Sequence, residues 1–515
     1  MMFNRTRHTI QSAGGLDKMR RLHAVFRRFP FVSKPGEPQN EHVLHQYFCP
    51  LRERPPPYRI RARTRAGRCF GERAHKKGQD TFFLTGTDEN AIKNVRVALE
   101  QKCSPRFLCD RNAELYRSLI ARLDISVDGF IRTSSADHHR GAAHFWSKCR
   151  NEDIYLKRYN GLYCAGCEDF VRDQDLRDGL CPYHDSNPEP VEEENYFFRL
   201  TRYANQLEDL IRSGRLRINP ESRRNEALGW IRQGHRDFSI SRPANRSTGW
   251  GIPVPGDDSQ SIYFWFDALT NYLTGLDFGR DSVRLDRSWN AGPTRVHTLG
   301  KDILKFHALY WPAMLLSADV PLPDILNVHG FVTAEGRKIS KTLGNATDPI
   351  TIIEKYGPDA LRYFLLRAIP GYGDGDFSIS WFKETYNADL AIGLGNLVRR
   401  LQALFQRAAF CPAGQLALPD IDLAPHLSEY RLGDALRSLW VSISDLNKDT
   451  DRVQPWALAM SGHTVELANH FQAWTNNVRA VARGLRLFLP QTAEKVLEGF
   501  SRTSVTVQAP LFPRI

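Results

Sequence analysis

No stretch of 18 consecutive apolar residues occurs in this chain, so a membrane-spanning helix is not expected. The N-terminus lacks the apolar core of a secretory leader. Internal repeats and low-complexity linkers are also missing, which excludes solenoid and array architectures. Nine cysteines in 515 residues are too few for a disulfide scaffold. Three of them cluster with one histidine, and this points to a metal site in a reducing compartment.

At 515 residues, with 42% hydrophobic and 25% charged residues, the chain is long enough for two to four globular units. Its formal charge of +12 suggests a nucleic-acid partner. The distribution weakens that inference. Residues 1–77 hold 14 Arg and 4 Lys against 5 acidic residues, a net of +13, and the remaining 438 sum to −1. The basicity belongs to one N-terminal segment. Its Arg-rich, acid-poor start also has the character of an organelle transit peptide.

From Thr81 the pattern changes. Residues 81–84, TFFL, read as a buried parallel strand that delivers Thr85, Gly86, Thr87 and Asp88 at its end. A helix is expected over 90–102, strands over 262–267 and 296–299, and a helix over 300–315. Residues 151–258 carry the cysteine cluster and read as an insertion. After Ser380 the text becomes helical (381–410, 432–446, 456–460 and 465–487), as a bundle of four or five helices would require. The expected fold is α/β: a split Rossmann-type, doubly wound parallel sheet with a metal-bearing insertion, then an all-α bundle. The boundaries drawn are an unassigned arm 1–42, a first half-sheet 43–150, the insertion 151–258, a second half-sheet 259–330, a loop and contact region 331–380, and helices 381–515.

Four motifs carry chemistry. Lys338 and Lys341 lie in GRKISKTLGN, two ammonium groups three residues apart in a glycine-flanked loop, which suits a polyphosphate. Alone they would read as surface lysines of a solvated loop. They follow NVHGFV (327–332) and precede DPITIIEKYGPDALRYFLL (348–366), and the whole window resembles the KMSKS loop of class I aminoacyl-tRNA synthetases. FFLTGTDEN (82–90), IYFWFDALTNY (262–272) and HTLGKDILKFHALYWPAMLL (297–316) together resemble the methionine-specific family. Cys164-x2-Cys167-x13-Cys181-x2-His184 has the spacing of a closed, structural Cys3His zinc knuckle. YNADLAIGLGNLVRRL (386–401) resembles that family's anticodon-reading helix.

The resemblance implies roles by position. Asp88 would hold the substrate ammonium. Trp265, Ala268 and Tyr272 would wall a side-chain pocket, with His307 closing it near the thioether, whose polarizable sulfur packs well against aromatic edges. Asp302 would orient the substrate. Gly300, His329 and Gly330 would contact ATP, and Lys338 and Lys341 would neutralise its leaving pyrophosphate. Asn396 and Arg400, one helical turn apart, would read anticodon bases, with Trp456 as a stacking platform. The implied activity is methionine–tRNA ligation, with ATP and Mg2+ for the chemistry, Zn2+ in the knuckle, and L-methionine and tRNA(Met) as partners. The ending APLFPRI looks like a family C-terminus without a dimerization domain, so a monomer is expected. A cytoplasmic location is expected, with a mitochondrial one as the alternative. A valine, isoleucine or leucine enzyme would need a larger editing insertion than residues 151–258 provide.

The chain departs from the family at one place. The HIGH-like motif should lie near residues 50–62, about thirty residues before GTDE by analogy with the family. Those residues include three consecutive prolines among alternating arginines, which fit neither a buried strand nor a helix start. No HxGH-like string occurs in residues 1–87. Permitted codons for residues 50–72, read one nucleotide later, can spell PYVNGPPHIGYALELVQADASA, with strand, glycine turn and HIGY in family order. A frameshifted segment is therefore expected, which also explains why 8 of the 14 N-terminal arginines fall within 52–73. The rival is a native basic arm for tRNA phosphates, which would leave the sheet without its first strand. The chain as written could then be a catalytically dead tRNA-binding relative.

Overall fold

The computed structural model describes residues 43–46, 81–164, 169–171, 173, 176–181, 186–280, 282–292, 294–334, 337–338, 348–412, 421–500, 505 and 509–515. All of them belong to one compact unit, 41–515. The arm 1–42 and the stretch 50–77 lie outside the described residues.

Six parallel strands form the organising sheet: β1 (Val43–Gln46), β2 (Thr81–Thr87), β3 (Gly129–Arg132), β4 (Arg217–Asn219), β5 (Thr294–Gly300) and β6 (Ile325–His329). Their order is β3-β2-β1-β5-β6-β4. Strand β1 is central, with Val43 beside both Thr81 and Thr294. The winding reverses between β1 and β5. In open α/β sheets the crevice above that reversal, at the carboxyl ends of the strands, takes the ligand. Burial on both faces explains the apolar runs: Phe83 and Leu84 are buried, as are Val296 and Leu299.

Three expectations change. The first strand is present, because Val43–Gln46 lies upstream of the proline-rich stretch. A native arm in that stretch would therefore not remove the first strand. The stretch 262–267 is not a strand: the strand Asp257–Ile262 ends there and a helix, Phe264–Thr274, begins. All eleven residues of that helix are buried. An element buried all round shows no periodicity by which to tell helix from strand. The third change concerns the expected insertion, which returns to the main sheet. Its residues Arg217–Asn219 form β4 and pair with Ile325–Asn327.

Within 151–258 the chief feature is an antiparallel sheet built on the long hairpin Ile154–Cys164 and Glu189–Phe198. The buried Asp153 fastens its base. Asp153 accepts from Tyr203 Oη at 2.5 Å, from Ser317 Oγ at 2.8 Å and from Arg202 at 2.7 Å. Ser317 ends the helix Trp311–Ser317, so the hairpin is tied to the layer that covers the main sheet.

The helical part runs through Asn396–Arg407, Leu432–Val453, Thr464–Leu485 and Pro490–Gly499. Its core is continuous with Phe83, Leu119 and Leu123 beside the sheet. The helix Pro358–Arg367 bridges the two. Its buried Arg362 donates to the carbonyl of Leu123 at 3.1 Å and to that of Phe488 at 2.6 Å. Asp359 accepts from Thr492 N and Oγ1, both at 2.7 Å. One helix thus holds backbone groups from both sides of the junction.

Candidate active site

Because β2, β5 and β6 are parallel, their carboxyl ends open on one edge of the sheet. Asp88 follows β2 and is buried, with Thr133 Oγ1 at 3.4 Å. Gly300 ends β5, and Asp302 is the exposed residue of the turn Lys301–Ile303 after it. His329 ends β6 and Gly330 follows. Gly330 has no room for a side chain: a Cβ there would lie 2.0 Å from the carbonyl oxygen of Gly373. The ends of β5 and β6 are joined by Asp374, which accepts from Lys301 Nζ at 2.6 Å and from Phe331 N at 2.7 Å. Burial raises the Asp374 carboxyl, and these two donors outweigh it, holding its pKa below the ordinary range.

A cluster of packed rings lies beside these ends. Trp265, Ala268 and Tyr272 fall at i, i+3 and i+7 of the helix Phe264–Thr274, which places them on one face. Trp265 stacks on Phe306 at 3.8 Å between centroids and 10° between planes. Tyr272 Oη lies 2.7 Å from His307 Nε2. His307 Nδ1 faces the carbonyl of Ile303 at 2.9 Å, so Nδ1 carries the proton and a neutral His307 accepts from the tyrosine. Trp265, Ala268, Tyr272 and His307 are buried, and Phe306 is partly buried.

The strand-end loop and the pocket helix are latched together. Buried Asp267 accepts from Asn90 Nδ2 at 2.9 Å and faces His138 Nε2 at 3.2 Å, while His138 Nδ1 lies 2.7 Å from Thr274 Oγ1. Glu89, next to Asp88, is fully buried. It takes two bonds from Arg132, 2.8 and 2.9 Å, one from Thr87 Oγ1 at 2.6 Å, and one from Ser134 Oγ. Two-pronged pairing with hydrogen bonds to the remaining lone pairs is what a buried carboxylate requires. Arg242 lies 4.0 Å above the Tyr263 ring and donates to Ser239 Oγ at 2.6 Å. Asp267, His138, Arg132 and Arg242 were not singled out from the sequence. A charged residue inside an apolar run, Asp267 in IYFWFDALTNY, was the available signal for the first; the others stand in ordinary polar contexts.

The structure thus joins Trp265, Ala268, Tyr272 and His307 through one helix face and the Tyr272–His307 contact. Asp88 is linked to that helix through its loop neighbour Asn90, which bonds Asp267, and Gly300, Asp302, His329 and Gly330 lie at neighbouring strand ends. Lys338 belongs to the short hairpin Val332–Ala334 and Arg337–Lys338 that follows β6, with Thr333 opposite it. Lys341 lies outside the described residues, as do Cys167 and His184. Cys164 and Cys181 are both fully buried, Cys164 at the end of the long hairpin's first strand. Two thiols withdrawn from water at the knuckle spacing suit a thiolate–imidazole zinc site. Asn396 opens its helix and is exposed. Arg400 is engaged by Asp451 at 2.5 Å and by the Asn447 carbonyl at 3.2 Å. Trp456 is 48% exposed on the helix Pro455–Met460.

Comparison with known proteins places this geometry. The family model for class I tRNA synthetases (M) matches residues 67–187 and 171–402. Methionine–tRNA ligase of Brucella suis is 37% identical over 440 residues, 82% of this chain and 84% of the relative. That of Synechocystis is 37% identical over 446 residues, 82% of each. The solved structure of Mycobacterium tuberculosis methionyl-tRNA synthetase in complex with methionyl-adenylate matches 92% of this chain and 100% of its own, with a TM-score of 0.85 and 30% identity. The chain belongs to the class I tRNA synthetases, in their methionine-specific (M) branch.

Proposed function

We propose that this chain is a methionine–tRNA ligase. The carboxylate of L-methionine attacks the α-phosphorus of Mg·ATP, pyrophosphate leaves, and the acyl group passes from methionyl-adenylate to the terminal ribose of tRNA(Met). The observation that supports this reading is the Asn90–Asp267 hydrogen bond, which ties the loop carrying Asp88 to the helix of Trp265 and Tyr272, together with Tyr272 Oη against His307 Nε2. Asp88 holds the ammonium, and Trp265, Ala268, Tyr272 and His307 enclose the side chain. Asp302 orients the amino acid. Gly300, His329 and Gly330 let ATP approach the strand ends; at Gly330 the lack of a Cβ leaves the backbone close to Gly373. Lys338 and Lys341 neutralise the departing pyrophosphate, so catalysis is mostly positioning and charge stabilisation. Asn396, Arg400 and Trp456 read the anticodon, for which Arg400 must exchange Asp451 for a base. Cys164, Cys167, Cys181 and His184 hold Zn2+, which supplies structure and no chemistry. No helix among the described residues is long and apolar enough to cross a membrane. A cytoplasmic monomer fits the reading. ATP–pyrophosphate exchange driven by methionine tests it.

A second reading rests on one observation: residues 1–87 contain no HxGH-like string, and the family match begins only at residue 67. A chain without that motif binds methionine and tRNA but fails to form the adenylate. Retained binding without exchange marks this form. The gene sequence across codons 43–80 decides whether the motif survives in the next reading frame.

A further inference from the structure

Behind Tyr272 lies a histidine to which no role has been given. His297, on β5, is fully buried and stacks on Tyr272 with 4.1 Å between centroids and 25° between planes. Trp311 Nε1 lies 3.3 Å from His297 Nε2. An indole N–H only donates, so Nε2 accepts and the proton of the neutral ring sits on Nδ1. That Nδ1 has no acceptor among the described residues. His307 stands 6.1 Å away, ring to ring. The Trp265 Nε1 is likewise buried and without a described acceptor. The ring cluster thus holds two buried N–H donors, His297 Nδ1 and Trp265 Nε1, without a described acceptor. Buried donors are rarely left so unless something with a lone pair comes to them.

We infer that His297 is a specificity-determining positioning residue: it holds Tyr272 flat and supplies a buried Nδ1–H that a thioether sulfur satisfies, directly or through one water, and an all-carbon side chain does not. The distinction therefore lies between methionine and norleucine, which share length and shape. This rests on the methionine reading. It goes beyond it by naming a donor outside the pocket wall proper.

The test is titration calorimetry of the full chain with L-methionine and L-norleucine, with three variants. His297→Gln keeps an acceptor for Trp311 but places nothing at Nδ1. His297→Asn places an amide N–H near Nδ1 and gives up the Trp311 contact. His297→Phe keeps only the flat ring. Methionine affinity is expected to fall about fivefold in the Gln and Phe variants. Norleucine affinity should stay level in both, and the Asn variant should keep the wild-type preference. Equal losses for both ligands, or an unchanged preference in His297→Gln, would overturn the inference and leave the methionine reading intact. Wild-type chain that binds neither amino acid overturns both.

Discussion

Single side chains set the terms of this pocket. Tyr272→Phe removes the proton donated to the buried His307 Nε2. Methionine KM should rise about tenfold with ATP KM unchanged, as exchange kinetics would report. Gly330→Ala forces a methyl group onto the Gly373 carbonyl, backbone against backbone, where no side chain can yield. Denaturant melts should show a loss of about 2 kcal/mol. His297 adds a pH dependence. Burial, with the His307 ring and the Arg295 guanidinium nearby, holds its pKa well below the ordinary value of 6.5. Below about pH 6.5 the unfolded chain takes up a proton that the folded chain refuses, so stability falls as pH falls, and above it this contribution is flat. Melts at pH 7.5 and 5.5 should differ less in His297→Phe than in the wild type.

At the level of elements, the latch around Asp267 matters most. It joins the loop after β2, the helix Ala136–Lys148 and the helix Phe264–Thr274 through one carboxylate. Asp267→Ala strands Asn90 and His138 in a dry interior. It should cost about 2 kcal/mol and weaken methionine binding, because Asp88 and Trp265 lose their common anchor. Retained affinity in a destabilised variant would show that the anchor is not needed for binding. This is also the scale at which the sequence was only partly legible. Strands β2 and β5 stood out, because continuous apolar runs ending in polar residues describe buried parallel strands. The first four residues of the helix Phe264–Thr274 read as part of a strand over 262–267 for the same reason, since complete burial erases the 3.6-residue period. Strand β4 was illegible: Arg217–Asn219 is short and polar, and only its pairing with β6 makes it a strand. Tyr272 and His307 were picked out together by three matching segments, and the structure sets their side chains 2.7 Å apart. Arg132 and His138 act through contacts to Glu89 and Asp267, 43 and 129 residues away in sequence, which no local pattern records.

Across the whole molecule, the catalytic sheet and the helical bundle share one seam at the helix Pro358–Arg367. Arg362→Met keeps the length and loses the bonds to Leu123 and Phe488, leaving carbonyls unpaired in the interior. A loss of about 3 kcal/mol is expected, with calorimetry resolving two transitions in place of one. The sheet itself carries a plainer consequence. Because Val43–Gln46 runs down its middle, a chain started at residue 41 retains every strand. One started at residue 50 would expose two half-sheets, each with a bare, hydrogen-bonding flank where its neighbour used to be. Such flanks recruit one another between molecules, so a trim of nine residues decides between a dispersed protein and a precipitate.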